Sequence, residues 1–249
     1  MTGAIFRFYA ELNDLLPERQ RYREQRIEFK GQQTVKHLIE SAGIPHTEVD
    51  LILANGNPVD FSYVPNEGEL ISVYPMFESF DISTLTQLRP KALREPKFIL
   101  DGHLGRLAAY LRMLGFDTLY RNEIDDEQLA RISKEEKRIL LTRDRGLLKR
   151  NEVTHGFLLK TLDPRQQLLS VVLRFDLVRL FKPFTRCIAC NGQLEPVDKK
   201  EIIDQLEPKT KKYFYKFKKC TDCGKIYWAG SHHKRMRELI EWLKNEASE

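Results

Sequence analysis

Hydrophobic and polar residues alternate in blocks along the middle of the chain, between residues 97 and 150. Three short apolar runs have the length of buried strands, and between them apolar residues recur every three or four positions. Residues 104–114 have this helical spacing and Gly115 follows as a stop signal, while Asp125 is a suitable N-cap for a second helix, with Gln128 three residues on. The order strand, helix, strand, helix, strand predicts an α/β region with a parallel sheet.

Each apolar run of this region leads into aspartate. Asp101 follows the first run, Asp125 and Asp126 follow the second, and Asp144 follows the third. Ligands bind outside the carboxyl ends of the strands in parallel sheets, so these side chains are expected to converge there. Converging carboxylates repel one another unless a cation lies among them, and Mg²⁺ and Mn²⁺ prefer oxygen ligands. The pattern therefore predicts a divalent-metal site suited to phosphodiester hydrolysis.

A second interpretation of the aspartates stays open, because aspartate after a strand is also a common helix cap. Their repetition at corresponding places in successive units favours a site. Arginines flank the third aspartate, and guanidinium groups suit phosphate. The residues expected to engage substrate phosphates in this region are Arg106, Arg143, Arg145 and Lys149.

The region resembles the Mut7-C ribonuclease domain, a branch of the PIN-like nucleases. The resemblance lies in Phe98-Ile-Leu-Asp-Gly-His-Leu-Gly-Arg-Leu-Ala, in Leu111-Arg-Met-Leu-Gly-Phe-Asp-Thr-Leu-Tyr and in Ile139-Leu-Leu-Thr-Arg-Asp-Arg. It covers about residues 97–249, since the family also carries a cysteine-bearing tail. It implies a PIN-like, Rossmann-like parallel-sheet nuclease in which Asp101, Asp126 and Asp144 hold the ion and Asp125 supports them. The acidic residue that many PIN nucleases place on an intermediate helix has no clear counterpart here.

The first 80 residues show the pattern of a small α+β domain. Strand-like segments at 3–9 and 25–29 precede a helix that begins at Thr34, and Asn55-Gly56 signals a hairpin before a last strand at 70–74. This order resembles the β-grasp of ubiquitin-like sulfur carriers, and such a domain often accompanies the family named above. Sulfur carriers end in a free Gly-Gly tail, whereas this chain continues. A module that binds a protein partner or an RNA shape is therefore expected rather than sulfur transfer.

The cysteines of the chain form two Cys-x-x-Cys pairs, Cys187 with Cys190 and Cys220 with Cys223. Four thiolates in two knuckles match tetrahedral structural zinc, which leaves no open position for catalysis. The intervening residues predict an inserted helical segment at 198–212, and Gly192 and Gly224 are expected to supply positive φ angles. A redox or sulfur-transfer role is the alternative. It predicts reactive thiols, whereas a zinc ribbon predicts thiols that stay silent until a chelator removes the metal.

Residues 209–219 interleave six lysines with four aromatic residues. Lysines neutralise phosphates and exposed rings stack on unpaired bases in single-strand binders. We expect the rings instead to pack inside the ribbon. For the lysines, contact with RNA and simple exposure to solvent both stay open, and Lys218 is a candidate RNA-binding residue. The later Tyr-Trp-x-Gly-Ser-His segment is similar to the family's closing motif. It makes His232 a candidate RNA-contacting or active-site residue and Ser231 the expected cap of a C-terminal helix.

The net charge of +5 is unevenly distributed. Residues 1–88 hold 7 Lys or Arg against 13 Asp or Glu, and residues 89–249 hold 34 against 23. A basic catalytic part fits a polyanionic substrate such as RNA, although a lysine-rich surface also serves solubility alone. No apolar run reaches the length of a membrane span and no signal peptide is visible, so a cytoplasmic protein is expected.

The expected organisation is a β-grasp domain at 1–80, a basic linker at 81–96, a PIN-like nuclease domain at 97–182 and a zinc ribbon with a C-terminal helix at 183–249. The expected function is that of a ribonuclease dependent on Mg²⁺ or Mn²⁺. The alternative is a non-catalytic RNA-binding adaptor with a degenerate nuclease fold, which the missing acidic residue supports. The sequence carries no signal for an oligomeric state.

Overall fold

The computed structural model describes residues 2–75 and 96–247. The chain divides into two compact units, one of residues 1–95 with 126–158 and one of residues 96–125 with 159–249. Residues 126–158 thus group with the N-terminal region rather than with the rest of the predicted nuclease domain, whose boundaries stay a prediction. The predicted linker at 81–96 lies, except for its last residue, outside the described residues.

The N-terminal part of the first unit is a five-stranded mixed sheet with one α-helix. Its elements are β1 (Thr2–Phe8), β2 (Glu24–Phe29), α1 (Val35–Ser41), β3 (Val49–Ala54), β4 (Asn57–Val59) and β5 (Leu70–Pro75), with 3-10 turns at Ala10–Leu15, Glu18–Gln20 and His46–Glu48. The strand order is β2-β1-β5-β3-β4, with β1 antiparallel to β2 and parallel to β5. Thr34 caps α1 by accepting the His37 N–H. The predicted β-grasp arrangement is confirmed.

Strands and helices alternate through the predicted nuclease region. They are β6 (Phe98–Leu100), α2 (Gly105–Met113), β7 (Thr118–Tyr120), α3 (Asp126–Glu135), β8 (Ile139–Thr142), α4 (Arg145–Leu148), β9 (Gly156–Leu158) and α5 (Pro164–Arg174). In the second unit β6 pairs in parallel with β7, and in the first unit β8 pairs in parallel with β9. Every residue of β6 and β8 is buried, as expected for strands of a parallel sheet. The predicted α/β class and parallel pairing are confirmed.

Asp163-Pro164 predicts the start of a long helix whose apolar positions run through Leu177. Helix α5 begins there and ends earlier than this pattern predicts. Asp163 is its N-cap, with Oδ1 accepting the Arg165 N–H at 3.0 Å, and Pro164 occupies the first turn. The predicted continuation through Leu177 is wrong, since the helix ends at Arg174 and Asp176 has a φ of 45°. A residue in this left-handed conformation cannot continue a helix. Leu177 is nevertheless fully buried, so the apolar pattern marked the core correctly.

Gly115 ends α2 as predicted, with a φ of +98°. A Cβ added there would lie 2.2 Å from the carbonyl oxygen of Lys182. We expect Gly115→Ala to lower the free energy of unfolding by about 2–5 kcal/mol, since the left-handed backbone and the overlap both cost energy. Urea unfolding of the full chain measures the loss. The control is Gly31→Ala, where φ is +69° but the space is open, so only about 1–2 kcal/mol should be lost. Equal losses would show that the contact with Lys182 is unimportant.

The C-terminal part of the second unit is a three-stranded antiparallel ribbon followed by a long helix. Its elements are β10 (Leu194–Val197), α6 (Lys199–Ile202), α7 (Pro208–Tyr213), β11 (Phe217–Cys220), β12 (Ile226–Trp228) and α8 (Ser231–Glu246), with 3-10 turns at Val178–Leu180 and Ile203–Gln205. The predicted helical insertion at 198–212 is confirmed. Ser231 as cap of α8 is wrong, because Gly230 occupies the N-cap position and no side chain bonds there. Among the described residues, no helix combines the length and hydrophobicity that a membrane crossing requires.

Buried polar contacts join the β-grasp elements to residues 126–158 within the first unit. His46 places Nδ1 2.7 Å from Glu40 Oε1 and Nε2 2.8 Å from the carbonyl oxygen of Val153. Glu48 Oε1 accepts the Leu158 N–H at 2.7 Å. Buried polar groups are costly unless they are paired, so these bonds depend on both segments being in place. The β-grasp domain is therefore an integral part of this unit.

Candidate functional site

The predicted acidic residues lie at strand ends and helix starts. Asp101 is half-buried directly after β6, and its Oδ1 accepts the Gly102 N–H at 2.6 Å. Asp144 is exposed two residues after β8 and caps α4, with Oδ1 accepting the Gly146 N–H at 2.7 Å. Of these contacts, only that of Asp144 agrees with the capping interpretation, because the N-cap of α2 is Leu104 and no side chain bonds there. They do not oppose metal binding, because a carboxylate has about four lone-pair positions.

The other two predicted acidic residues lie at the start of α3 and are both exposed, Asp126 as its first residue and Asp125 just before it. Asp101 and Asp125 belong to the second unit, and Asp126 and Asp144 belong to the first. The convergence of these carboxylates on one ion stays a prediction.

Two of the predicted phosphate-binding residues contact the β-grasp domain. Arg145 Nη1 donates to the carbonyl oxygen of Leu15 at 3.0 Å, and Lys149 Nζ donates to that of Glu40 at 2.6 Å. The second contact lies in the last turn of α1, where carbonyl groups lack helical partners and attract cations. A phosphate would have to compete with these oxygens. Arg106 and Arg143 are exposed.

The four cysteines gather around a space of the size of one ion. Their sulfur atoms all lie within 4.8 Å of one another, with 3.7 Å between Cys187 and Cys223 and 3.4 Å between Cys190 and Cys220. Tetrahedral zinc with bonds of about 2.3 Å separates its sulfur ligands by about 3.8 Å. The cluster therefore has the dimensions of a Cys₄ zinc site, and each knuckle contributes both of its cysteines.

Hydrogen bonding favours the thiolate at one of these ligands. The hydroxyl of Tyr227 lies 3.0 Å from Cys187 Sγ. Burial raises the pKa of the Cys187 thiol, but hydrogen bonds from Tyr227 and from the backbone N–H groups of Cys190 and Ala189 lower the pKa to about 6. Burial also raises the pKa of Tyr227, which keeps its hydroxyl protonated as a donor. The thiolate is the form that binds zinc.

The two glycines after the knuckles have different roles. Gly224 has a φ of +70°, as predicted. The prediction for Gly192 is wrong, because its neighbour Asn191 takes the positive φ, 79°, which asparagine tolerates. Gly192 is instead required for close approach, since a Cβ there would lie 2.8 Å from Cys220 Sγ and 2.6 Å from the carboxyl group of Asp222.

The first knuckle is bonded to the strand β7 region of the same unit. The buried guanidinium of Arg112 donates to the carbonyl oxygens of Ile188 at 3.2 Å, Ala189 at 2.9 Å and Thr118 at 2.9 Å. Asn191 Oδ1 accepts the Thr118 N–H at 3.0 Å. This role of Arg112 was not predicted from the sequence, because arginine on a helix usually lies at the surface. The ribbon is thus anchored by charge-assisted bonds to α2.

The aromatic rings of the lysine-rich segment differ in burial. Residues 208–213 form α7, as expected for the helical insertion that was predicted to run to residue 212. Packing inside the ribbon is confirmed for Phe217, which is 4% exposed, but is wrong for Tyr213 and Tyr215, which are 63% and 75% exposed. The helix and the turn after it direct these two rings out of the ribbon core. Two aromatic side chains are therefore available at the surface.

A groove of about 610 Å³ lies in the second unit among residues of the ribbon, its approach at 183–188 and α8. Both predicted RNA-contacting residues of this region, Lys218 and His232, line it. Lys218 Nζ donates to the carbonyl oxygen of Phe184 at 2.8 Å. Tyr215 and Trp228 also line the groove, although the sequence analysis did not single them out. Their place in the lysine-aromatic run and in the Tyr-Trp motif was the available signal.

Two family models together match most of the chain. The sequence model of the Mut7-C RNAse domain matches residues 96–240, and that of Mut7-C ubiquitin matches residues 1–81. No curated protein matches the chain. Among solved structures, small archaeal modifier protein 1 of H. volcanii is similar at 16% identity, covering 30% of this chain and 98% of that chain with a TM-score of 0.24. The RNAse-domain match spans more than half of the chain. The chain therefore belongs to the Mut7-C RNAse domain family.

Proposed function

We propose that the protein is a ribonuclease that hydrolyses RNA phosphodiesters with Mg²⁺ or Mn²⁺ held by Asp101, Asp126 and Asp144. The observation that carries the proposal is the match of the RNAse domain across residues 96–240, which indicates a nuclease. Asp101 directly after β6 and Asp144 two residues after β8 support it, because the carboxyl ends of parallel strands are where such folds bind ligands.

The donor set suits a hard divalent ion. Carboxylate oxygens are the ligands that Mg²⁺ and Mn²⁺ prefer. The backbone bonds to Asp101 and Asp144 orient each carboxylate through one oxygen. A carboxylate has about four lone-pair positions and can accept several bonds at once. Asp125, adjacent to Asp126, would support the same site. A bound ion would neutralise the charge that develops on the scissile phosphate.

Positive side chains would position the RNA backbone. Arg143 beside Asp144 and Arg106 on α2 are both exposed, and a guanidinium can hold two phosphate oxygens at once. Arg145 and Lys149 already have carbonyl partners in the β-grasp domain. Arg143 and Arg106 are therefore the stronger candidates for contact with phosphate. The four cysteines would hold a structural zinc, and the β-grasp domain is compatible with a protein partner.

The adaptor alternative has specific observations in its favour. Arg145 and Lys149 are engaged by backbone carbonyls, and the predicted acidic shell lacks one member of the usual PIN set. An adaptor would bind RNA without shortening it. The two functions therefore differ in what a divalent ion does to the length of bound RNA.

We expect the full chain to cut single-stranded RNA only when Mg²⁺ or Mn²⁺ is present. RNA labelled at its 5′ end is incubated with protein in chelator-treated buffer, and each ion is then added back, because the acidic site depends on the added cation. Zinc content is measured in parallel, so that loss of the ribbon is not mistaken for loss of catalysis. Fragments that form equally without added ions would contradict the metal requirement. RNA that is bound but stays intact with every ion would establish the adaptor function.

A further inference from the structure

The groove on the zinc ribbon has features that a structural metal site does not require. Tyr215 is 75% exposed at its edge, yet its ring is held in place. The ammonium of Lys199 lies 4.4 Å from the centre of this ring and donates to the carbonyl oxygen of Lys211. A cation over a ring face is a favourable contact. The structure thus keeps an exposed ring ordered at the mouth of a groove.

A second exposed ring stands on the ribbon strands. Trp228 is 39% exposed and lines the groove, while its ring centre lies 6.4 Å from that of Phe214 and 6.5 Å from that of Phe217. The two phenylalanines brace one part of the indole and leave another part open. Ordered, partly exposed aromatic rings are the surfaces on which unpaired bases stack.

The opposite part of the groove combines a ring contact with a polar group. His233 and Phe184 have ring centres 4.3 Å apart. Burial and the neighbouring cations Arg237 and Lys218 lower the pKa of His233, so its imidazole is neutral at neutral pH. A neutral imidazole offers one donor and one acceptor, which suits the edge of a base.

The charge around the groove is positive. Arg186, Lys216 and Lys218 line it, and none of the described lining residues carries a carboxylate. Residues 209–219, which supply part of the lining, hold six lysines and no acidic residue. Clustered lysines and arginines attract a phosphate backbone. The volume of about 610 Å³ is in the range of pockets that hold a small organic ligand, about 300–1,000 Å³.

We propose that this groove binds an unpaired base of single-stranded RNA, with Tyr215 and Trp228 as stacking surfaces and Lys216 beside the neighbouring phosphate. The inference rests on the proposed function for its substrate and adds that the ribbon selects RNA in its unpaired form. Bases inside a duplex are already stacked on their neighbours and cannot enter. The competing occupant is an apolar side chain of a protein partner. In that case the groove would not distinguish an oligomer with bases from one without them.

The test uses the fluorescence of Trp228 in the full chain. The chain has two tryptophans, so Trp242→Phe leaves Trp228 as the only one. This protein is titrated, without added Mg²⁺ or Mn²⁺, with oligouridine of about 10 nucleotides and with an abasic oligomer of the same length and charge. We expect oligouridine to quench Trp228 and the abasic oligomer to bind at least about 10-fold more weakly. Equal binding of both, or no binding of oligouridine, would overturn the proposal.

Two tyrosine variants locate the base. Tyr215→Ala should weaken oligouridine binding by about 5- to 150-fold, since stacking of one base contributes about 1–3 kcal/mol. Tyr213→Ala removes another exposed ring, one that does not line the groove, so its effect should stay below about two-fold. Equal effects of the two variants would overturn the groove as the base site.

Cleavage measured separately distinguishes this inference from the proposed function. If RNA is cut in a metal-dependent way but Tyr215→Ala binds oligouridine like the parent, base binding in the groove is overturned and the nuclease function is not. Base-dependent quenching without cleavage in any ion would support the groove and overturn the nuclease.

Discussion

Asp144→Asn is expected to lower the rate of RNA cleavage at saturating RNA by about 10²–10³-fold, the usual effect of losing one preorganised electrostatic group at a reacting centre. Asparagine keeps an oxygen that can accept the Gly146 N–H, so the cap of α4 is preserved. It loses the negative charge that a hard divalent ion requires. The variant should therefore fold and bind oligouridine like the parent while failing to cut it.

Asp163→Asn is the matched control for this experiment. Asp163 also caps a helix through Oδ1 and an N–H two residues on, but no catalytic role is proposed for it. It should retain full activity, and both variants should keep the thermal midpoint of the parent to within a few degrees. Loss of activity in both would point to a folding effect. Cleavage by Asp144→Asn at the parental rate would remove Asp144 from the proposed site and implicate a contaminating nuclease.

Removal of zinc is expected to unfold the ribbon. The purified chain should contain one zinc, and its thiols should react with a thiol reagent only after a chelator is added. Cys187→Ser should lose the metal, because Cys187 is fully buried and its sulfur is one of the four that would hold the ion. Structural zinc contributes about 10–16 kcal/mol in isolated zinc-finger peptides, which is comparable to the whole stability of a domain, about 5–15 kcal/mol. Metal analysis and the near-ultraviolet circular dichroism of the aromatic side chains measure the loss.

Thr221→Ser provides the control for the zinc experiment. Thr221 lies between two of the cysteines, and serine keeps the hydroxyl that donates to Asp222 Oδ1 at 2.8 Å. This variant should hold zinc like the parent. A chain that contains no zinc and has thiols that react without a chelator would contradict the structural site and favour the redox alternative.

Local chemistry explains what could be predicted about the candidate sites. The spacing of the cysteines predicted the close sulfur cluster, since two residues between ligands suffice to turn a knuckle around an ion. Asp101 and Asp144 lie at or just beyond strand ends as expected, while Asp125 and Asp126 lie at the start of α3. Their shared ion was inferred from the repeated pattern of apolar run and aspartate and from the family resemblance, and it stays a prediction. The groove was only partly anticipated, through Lys218 and His232, because its walls come from segments far apart along the chain.

The sequence by itself determined the elements whose causes lie within a few residues. Gly115 ends α2 because its backbone can adopt a positive φ, and Asp163 with Pro164 begins α5 because one caps and the other preorganises the first turn. The pattern of apolar residues likewise determined the order of strands and helix along the β-grasp domain and the segments that form the parallel strand pairs.

Only the tertiary structure decided the partners of long polar side chains. Arg145 reaches a carbonyl 130 positions away and Lys149 one 109 positions away, so their neighbours depend on how the segments pack. The same holds for Arg112 at the zinc knuckle and for the exposure of Tyr215. The spacing of apolar residues and the residue type predict whether a side chain of a helix or strand is buried. The group that it contacts is determined by the packing of distant parts of the chain.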